Sequence, residues 1–278
     1  MNQIPYVNLS AQWEEEREHL LPIIERVMAS GQYIGGDEVE QFESLVAANF
    51  GVEYAVALNS GTDALVFGLA ALGVQRGDEV ITPPNSFVAS TAAIVHLGAR
   101  PVFVDVQEDQ NINPSLIEAA ISSKTKVIMP IHLSGKMSEM KKILEIANRY
   151  GLEIVEDAAQ AAGSKLGEKF AGSWGSVGCF SAHPLKNLNA CGDAGFITTN
   201  EAGIARKIRS MRNHGLIDRD TVGQFGYVSR MDAIQAAILT YRLSVLPKVI
   251  SRRRKNVKIY NDTFSPNLKL DAGQLISE

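Results

Sequence analysis

Residues 54–63 read Tyr54-Ala55-Val56-Ala57-Leu58-Asn59-Ser60-Gly61-Thr62-Asp63. An apolar run ends at Leu58, a glycine turns the chain, and a helical pattern follows over 62–72. A short apolar run bounded by turn residues is the pattern of a buried strand. A helix opening directly behind it presents unpaired backbone N–H groups and the positive end of its dipole at the strand's carboxyl end.

The same unit recurs downstream. Buried strands are expected at 54–58, 79–82, 101–106, 126–130, 153–156, 178–180 and 195–199, with helices at 62–72, 86–97, 114–121 and 138–150. This alternation argues for an α/β, three-layer domain with a mainly parallel mixed sheet. Ligands in such sheets bind outside the carboxyl ends of the strands. Upstream, residues 12–29 are amphipathic and rich in Glu. Asp37 then opens a helix with Glu40 three residues on, in the manner of a capping box. Val39, Phe42, Val46 and Phe50 give that helix one apolar face. Downstream, 231–246 is helical in pattern, Pro247 is expected to interrupt it, and 249–264 resumes. The expected organisation is an N-terminal arm (1–31), a large domain (32–230) and a helical segment (231–278) leading to an incomplete C-terminal domain, because residues 265–278 are too few to build one.

Composition narrows the class of partner. The 278 residues are 45% hydrophobic and 21% charged, with a net charge of -4, which is ordinary for a globular protein. Neither nucleic acid nor an anionic membrane is expected as the main partner. The basic run Arg252-Arg253-Arg254-Lys255 reads as a solvated or interface helix face. Cys179 and Cys191 form no CxxC pair, which fits a reducing compartment. The first residues lack a charged and then apolar leader, and no window approaches the ~20 apolar residues of a spanning helix, so a cytoplasmic protein is expected.

Four strand ends carry residues with chemistry. Ser60-Gly61-Thr62 is suited to an anion at a helix start, although a plain N-cap turn has the same sequence. Phe87, in Pro83-Pro84-Asn85-Ser86-Phe87, is either a core aromatic or a platform for a flat ring. The strand before Ala158 delivers Glu156 and Asp157, and a carboxylate there can hold a protonated ring nitrogen by a charge-assisted hydrogen bond; an N-cap Asp is the plainer alternative. Gln160 lies three residues beyond Asp157, on the same side if the turn is helical. Last comes Ser181-Ala182-His183-Pro184-Leu185-Lys186-Asn187, closed by Gly192-Asp193-Ala194-Gly195. A lysine desolvated in such a loop has a lowered pKa and serves as an amine nucleophile toward an aldehyde, whereas a lone lysine is ordinarily solvated. Ser181 can donate to a phosphate. His183 reads equally well as a packed or a site residue.

The order of these signals, with Ile154-Val155-Glu156-Asp157-Ala158-Ala159-Gln160-Ala161 and Gly226-Tyr227-Val228-Ser229-Arg230-Met231-Asp232, resembles the sugar aminotransferases of the DegT/DnrJ/StrS type, which have the fold of type I pyridoxal-phosphate (PLP) enzymes. The resemblance runs from Ile4 to about Tyr260. It implies that Lys186 holds PLP as a Schiff base and moves protons, that Asp157 pairs with the pyridinium nitrogen and that Phe87 stacks on the ring. Gly61, Thr62 and Ser181 would hold the phosphate, and Gln160 would contact the ring's oxygen side. It also implies a homodimer that transfers an amino group, with glutamate as donor, to a nucleotide-linked keto-sugar in amino-sugar biosynthesis. Relatives that carry histidine in place of the lysine dehydrate instead, so Lys186 argues for transamination. Three departures stand out. Val228 replaces a common Asn that reaches the neighbouring subunit's cofactor phosphate, and Ala194 replaces a second glycine. Members also usually continue for about another hundred residues, on the scale of a small domain. A catalytically silent regulatory or dimerisation partner is the alternative reading. A nicotinamide dehydrogenase is disfavoured, because no G-x-G-x-x-G follows the first strand.

Overall fold

The computed structural model describes Pro5 and residues 7–268, with side chains through 264. Each expected run becomes a strand, with ends shifted by no more than three residues: β1 (Tyr54–Leu58), β2 (Glu79–Thr82), β3 (Arg100–Phe103), β4 (Thr125–Ile128) and β5 (Glu153–Asp157). A small hairpin follows, β6 (Lys165–Leu166) and β7 (Lys169–Phe170), then β8 (Val177–Ser181) and β9 (Gly195–Thr199). The large sheet has the order β1-β9-β8-β5-β4-β2-β3. β2 pairs parallel with β3 and β4, β4 with β5, and β5 with β8, while β9 runs antiparallel between β1 and β8. β1 and β8 therefore point the same way, and the carboxyl ends of β1, β2, β5 and β8 share one edge of the sheet.

The helices are α1 (Leu9–Ser30), α2 (Asp37–Phe50), α3 (Gly61–Ala71), α4 (Val88–His96), α5 (Pro114–Ala120), α6 (Met140–Tyr150), α7 (Ala202–Met211) and α8 (Ala233–Leu268). They cover the sheet on both sides. Successive strand residues point to opposite faces, so Ala55 and Ala57 join one apolar cluster with α2, α5, α6 and α8. Val56 and Leu58 join the other, with α3, α4 and α7. Burial on both faces is why the inner strands read as unbroken apolar runs, while β3, at the sheet edge, is partly exposed.

Two expectations about helix ends and breaks need correction. α2 begins at Asp37, but its N-cap is Gly36, at φ 77°, and no side chain caps it. Asp37, Glu38 and Glu40 instead sit in the first turn, where they complement the dipole. Pro247 does not interrupt the last helix: α8 runs through it to Leu268. The missing N–H forfeits one backbone bond, while Leu239, Leu243 and Leu246 stay buried on the core and Ile250 packs against it. α8 contains a stretch long and apolar enough to span a membrane by composition. It reads as a core helix, because Arg242 within it is buried and pairs with Glu16 of α1 at 2.6 Å. The basic run lies exposed further along α8, with Arg252 2.9 Å from Glu15.

Candidate active site

A cavity of about 360 Å³ opens at the shared carboxyl edge. Gly61, Thr62, Phe87, Asp157, Gln160, Ser181 and Lys186 all line it, although 125 positions separate Gly61 from Lys186 along the chain (186 − 61). His183 is exposed at its margin, where its Nδ1 accepts from the Leu185 N–H at 3.3 Å.

The floor is the start of α3. Ser60 caps it, its hydroxyl accepting from the Asp63 N–H at 3.1 Å, and the Ala64 N–H reaches the Ser60 carbonyl. The N–H groups of Gly61 and Thr62 lie in the first turn of α3 and have no acceptor within the helix. Glycine is required here for space. A Cβ on Gly61 would lie 2.5 Å from the Ser181 Cβ, and one on Gly195 would lie 2.4 Å from the Ser60 backbone. The close approach brings the Ser181 hydroxyl beside the helix N-terminus, a cradle for an anion.

Strand parity sorts the two carboxylates at the end of β5. Asp157 shares the face of Val155, toward α3 and α4, and lines the cavity. Its Oδ2 accepts from the Ser90 hydroxyl at 2.7 Å and its Oδ1 from the Ala159 N–H at 3.1 Å. Burial raises its pKa, opposed by these hydrogen bonds and by the positive charge of Lys186. Glu156 faces the other way and is sealed in. It accepts from the N–H groups of Gly172, Trp174 and Gly175 and from His132 Nε2 at 2.9 Å. His132 Nδ1 accepts from the Ser138 N–H, so the ring proton resides on Nε2. Glu156 is therefore an anchor for the 172–175 turn and not a second cavity acid.

Opposite Asp157, Lys186 is half-buried, and desolvation lowers its pKa against the pull of the Asp157 charge. Gln160 receives the Ser134 N–H on its Oε1 at 2.7 Å, which turns its amide so that the NH₂ group is the end left for other partners. Ser134 holds a left-handed backbone, φ 54°, at this contact. Phe87 is not a core aromatic: it is 72% exposed and lines the cavity. Ala194 is buried in the cavity wall, where its carbonyl accepts from the Ala182 N–H. Val228 is exposed and lies outside this cavity. Sequence reasoning missed Ser86, Ser90, Ser134 and His132. Their signal would have been the i, i+4 spacing of Ser86 and Ser90 at a helix start; for His132 and Ser134 nothing local marks them.

An anion cradle, a desolvated lysine and a buried carboxylate around one cavity, on a mixed α/β sheet, define the class of a phosphate-bearing carbonyl cofactor enzyme. Residues 14–271 match the model of the DegT/DnrJ/EryC1/StrS aminotransferase family, and the chain belongs to that family. It is similar to the pleiotropic regulatory protein of Geobacillus stearothermophilus, 40% identical over 92% of this chain and 69% of that one. It is equally similar to the dTDP-3-amino-3,4,6-trideoxy-alpha-D-glucose transaminase of Streptomyces venezuelae, 40% identical over 90% of this chain and 66% of that one. Its fold is similar to the NtdA crystal structure from Bacillus subtilis with bound cofactor PMP (TM-score 0.90, 34% identity, 98% of this chain and 62% of that one). The chain thus spans about two thirds of the length of these relatives. The family is one of PLP-dependent aminotransferases acting in amino-sugar biosynthesis, with nucleotide sugars as its substrate class.

Proposed function

We propose that this chain binds PLP in the cavity and transfers an amino group from glutamate to the keto carbon of a nucleotide-linked sugar, as a cytoplasmic homodimer. The observation that carries the reading is the pairing of Lys186, its pKa lowered by burial, with the buried Asp157 in the same cavity. The donor set fits PLP group by group. The Gly61 and Thr62 N–H groups and the Ser181 hydroxyl suit its phosphate, Phe87 its ring face, the Gln160 amide its phenolic oxygen, and Asp157 its pyridine nitrogen. Bound there, PLP supplies an electron-withdrawing ring for the charge that develops on the amino-acid carbon.

The protein's own part is to hold and to move protons. Asp157 keeps a proton on the ring nitrogen through a charge-assisted hydrogen bond. The lowered pKa of Lys186 raises the fraction of neutral amine, which both attaches the cofactor and takes and returns a proton at Nζ. Phe87 and Gln160 fix the plane in which this occurs. Adding PLP should produce a visible absorption band, and glutamate should convert it to a near-ultraviolet band, with ketoglutarate released. A bound band that glutamate leaves unchanged would instead support a silent regulatory partner. That reading is favoured by Val228, which offers no donor to a neighbour's phosphate, and by the likeness to a pleiotropic regulatory protein.

The homodimer rests on exposed apolar residues near the cavity and in the 214–228 loop. Phe225 is 99% exposed, Ile217 70% and Val222 59%, with Tyr227 and Val228 also open. Such a patch marks an interaction surface. Sedimentation at micromolar concentration should give twice the 30.2 kDa chain mass. A monomer with cofactor bound would rule the assembly out.

A further inference from the structure

The carboxylate of Asp157 is joined through one buried hydroxyl to a second, partly buried one in the cavity wall. Ser90, in the first turn of α4, is 2% exposed and its Oγ lies 2.7 Å from Asp157 Oδ2. Ser86, one helical turn earlier, is only partly buried and lines the cavity; its Oγ is 3.0 Å from Ser90 Oγ. The direction of this chain follows from hydrogen counting. An ionised carboxylate only accepts, so Ser90 spends its single hydroxyl hydrogen on Asp157. Between the two serines, the donor must then be Ser86. The order is Ser86 to Ser90 to Asp157, and each bond polarises the next in the same sense.

This arrangement has a geometric consequence. The last torsion of an aspartate is broad and roughly two-fold, so packing alone does not fix the plane of its carboxylate. Here one donor sits on each oxygen: Ser90 on Oδ2 and the Ala159 N–H on Oδ1. A carboxylate offers about four lone-pair sites, so two remain for the cavity. Neither serine is needed as a helix cap, since α4 has Phe87 at its N-cap and no side-chain cap bond.

We propose that Ser90 is a positioning residue for the aminotransferase chemistry: its hydroxyl, backed by Ser86, fixes the rotation of the Asp157 carboxylate that holds the cofactor's ring nitrogen. This rests on the proposed pairing of Asp157 with that nitrogen. The titratable groups around Asp157 are Lys186 across the cavity, His132, Glu156 on the opposite face of β5, and the Cys179 thiol on β8, which burial keeps in the neutral form. None of these donates to either Asp157 oxygen, so no other side chain duplicates the Ser90 contact among the described residues.

The test uses the full chain reconstituted with PLP carrying ¹⁵N in the ring, and reads the ring-nitrogen chemical shift by NMR. Cofactor affinity and the rate of the glutamate half-reaction are measured alongside. Ser90→Ala removes one oxygen from a buried site and is expected to move the ring signal part of the way toward that of the unprotonated ring. The half-reaction should slow roughly tenfold, the scale of one hydrogen bond to a charged group. Ser86→Ala should move the signal less, in the same direction, and Ser90→Thr, which keeps the hydroxyl, should restore it. Asp157→Asn serves as the reference and should produce the full displacement. A displaced signal in Asp157→Asn with none in Ser90→Ala would overturn the positioning role and leave the Asp157 pairing standing. An unmoved signal in both would overturn the pairing itself and the positioning role with it. If Ser90→Ala fails to fold, Ser86→Ala, which alters a partly exposed hydroxyl, carries the same comparison, and a signal unchanged from wild type would overturn the proposal.

Discussion

Lys186→Ala is expected to leave PLP bound but exchangeable, removing the borohydride-reducible link and the visible band that depends on it. Two losses combine in this variant. The nucleophile that attaches the cofactor disappears, and so does the base that moves the proton. The second alone is worth about 10²–10⁴ in rate. The structure explains why another lysine is a poor substitute. Among the described residues lining the cavity, Lys186 is the one amine, and burial lowers its pKa while Asp157 pulls it back up. The wild-type chain, treated with borohydride in the presence of PLP and digested, should carry the reduced adduct on the peptide containing Lys186. Modification of another lysine, such as the surface Lys165 or Lys169, would sink the assignment. The fold should not suffer. Lys186 is half-buried, its side chain has no hydrogen-bond or ion-pair partner among the described residues, and the loop is held by its backbone N–H to His183 and by the Ala190-to-Ala182 bond.

Much of this architecture was legible because most of the strands are short and buried on both sides. Val56 and Leu58 face one apolar layer and Ala55 and Ala57 the other, so no polar residue interrupts the run and the strand announces itself. The same logic placed the site. Glycine, carboxylate and lysine signals each fell at a strand end, and a parallel sheet collects such ends on one edge. What escaped was of three kinds. α7 carries Ala205, Ile208 and Met211 at helical spacing, so its signal was present and overlooked. The hairpin of β6 and β7 has two-residue strands around Gly167, too short for any periodicity. The remainder is non-local by nature. The Ser90–Asp157 contact spans 67 positions and the His132–Glu156 contact spans 24. Nothing in the local pattern of either residue encodes its partner. Glu156 and Asp157 were read together as two carboxylates at the sheet edge, although period-2 alternation already implies opposite faces. In the folded chain Glu156 has four donors and no access to the cavity, while Asp157 has two and faces it.

That asymmetry makes Asp157→Asn the sharper chemical experiment. The amide keeps the size of the carboxylate, and its carbonyl oxygen can still accept from the Ala159 N–H. Its NH₂ group would face Ser90, whose hydroxyl can reverse and accept. The fold should therefore persist, and the direction of the Asp157 pKa makes a stronger statement. Burial raises that pKa above the ordinary value of 3.8. For a group with a raised folded pKa, the stabilising contribution is complete below the unfolded value and is lost as pH rises through the folded one. At neutral pH the buried charge thus costs the cofactor-free protein stability, and replacing it with a neutral amide should leave the melting temperature unchanged or higher. Catalysis should move the opposite way. Without the carboxylate, nothing holds a proton on the ring nitrogen, and an oriented charge of this kind is worth on the order of 10²–10³ in rate. The paired measurement is thermal unfolding without PLP and a stopped-flow half-reaction with PLP and glutamate. A variant that loses stability but keeps near wild-type rates would mean that Asp157 is a structural acid, tied to Ser90 and Ala159 for the sake of the fold. A variant that melts no lower and reacts at least a hundredfold more slowly places its carboxylate in the chemistry, because the charge is then retained at a cost to the empty protein that only the loaded site offsets.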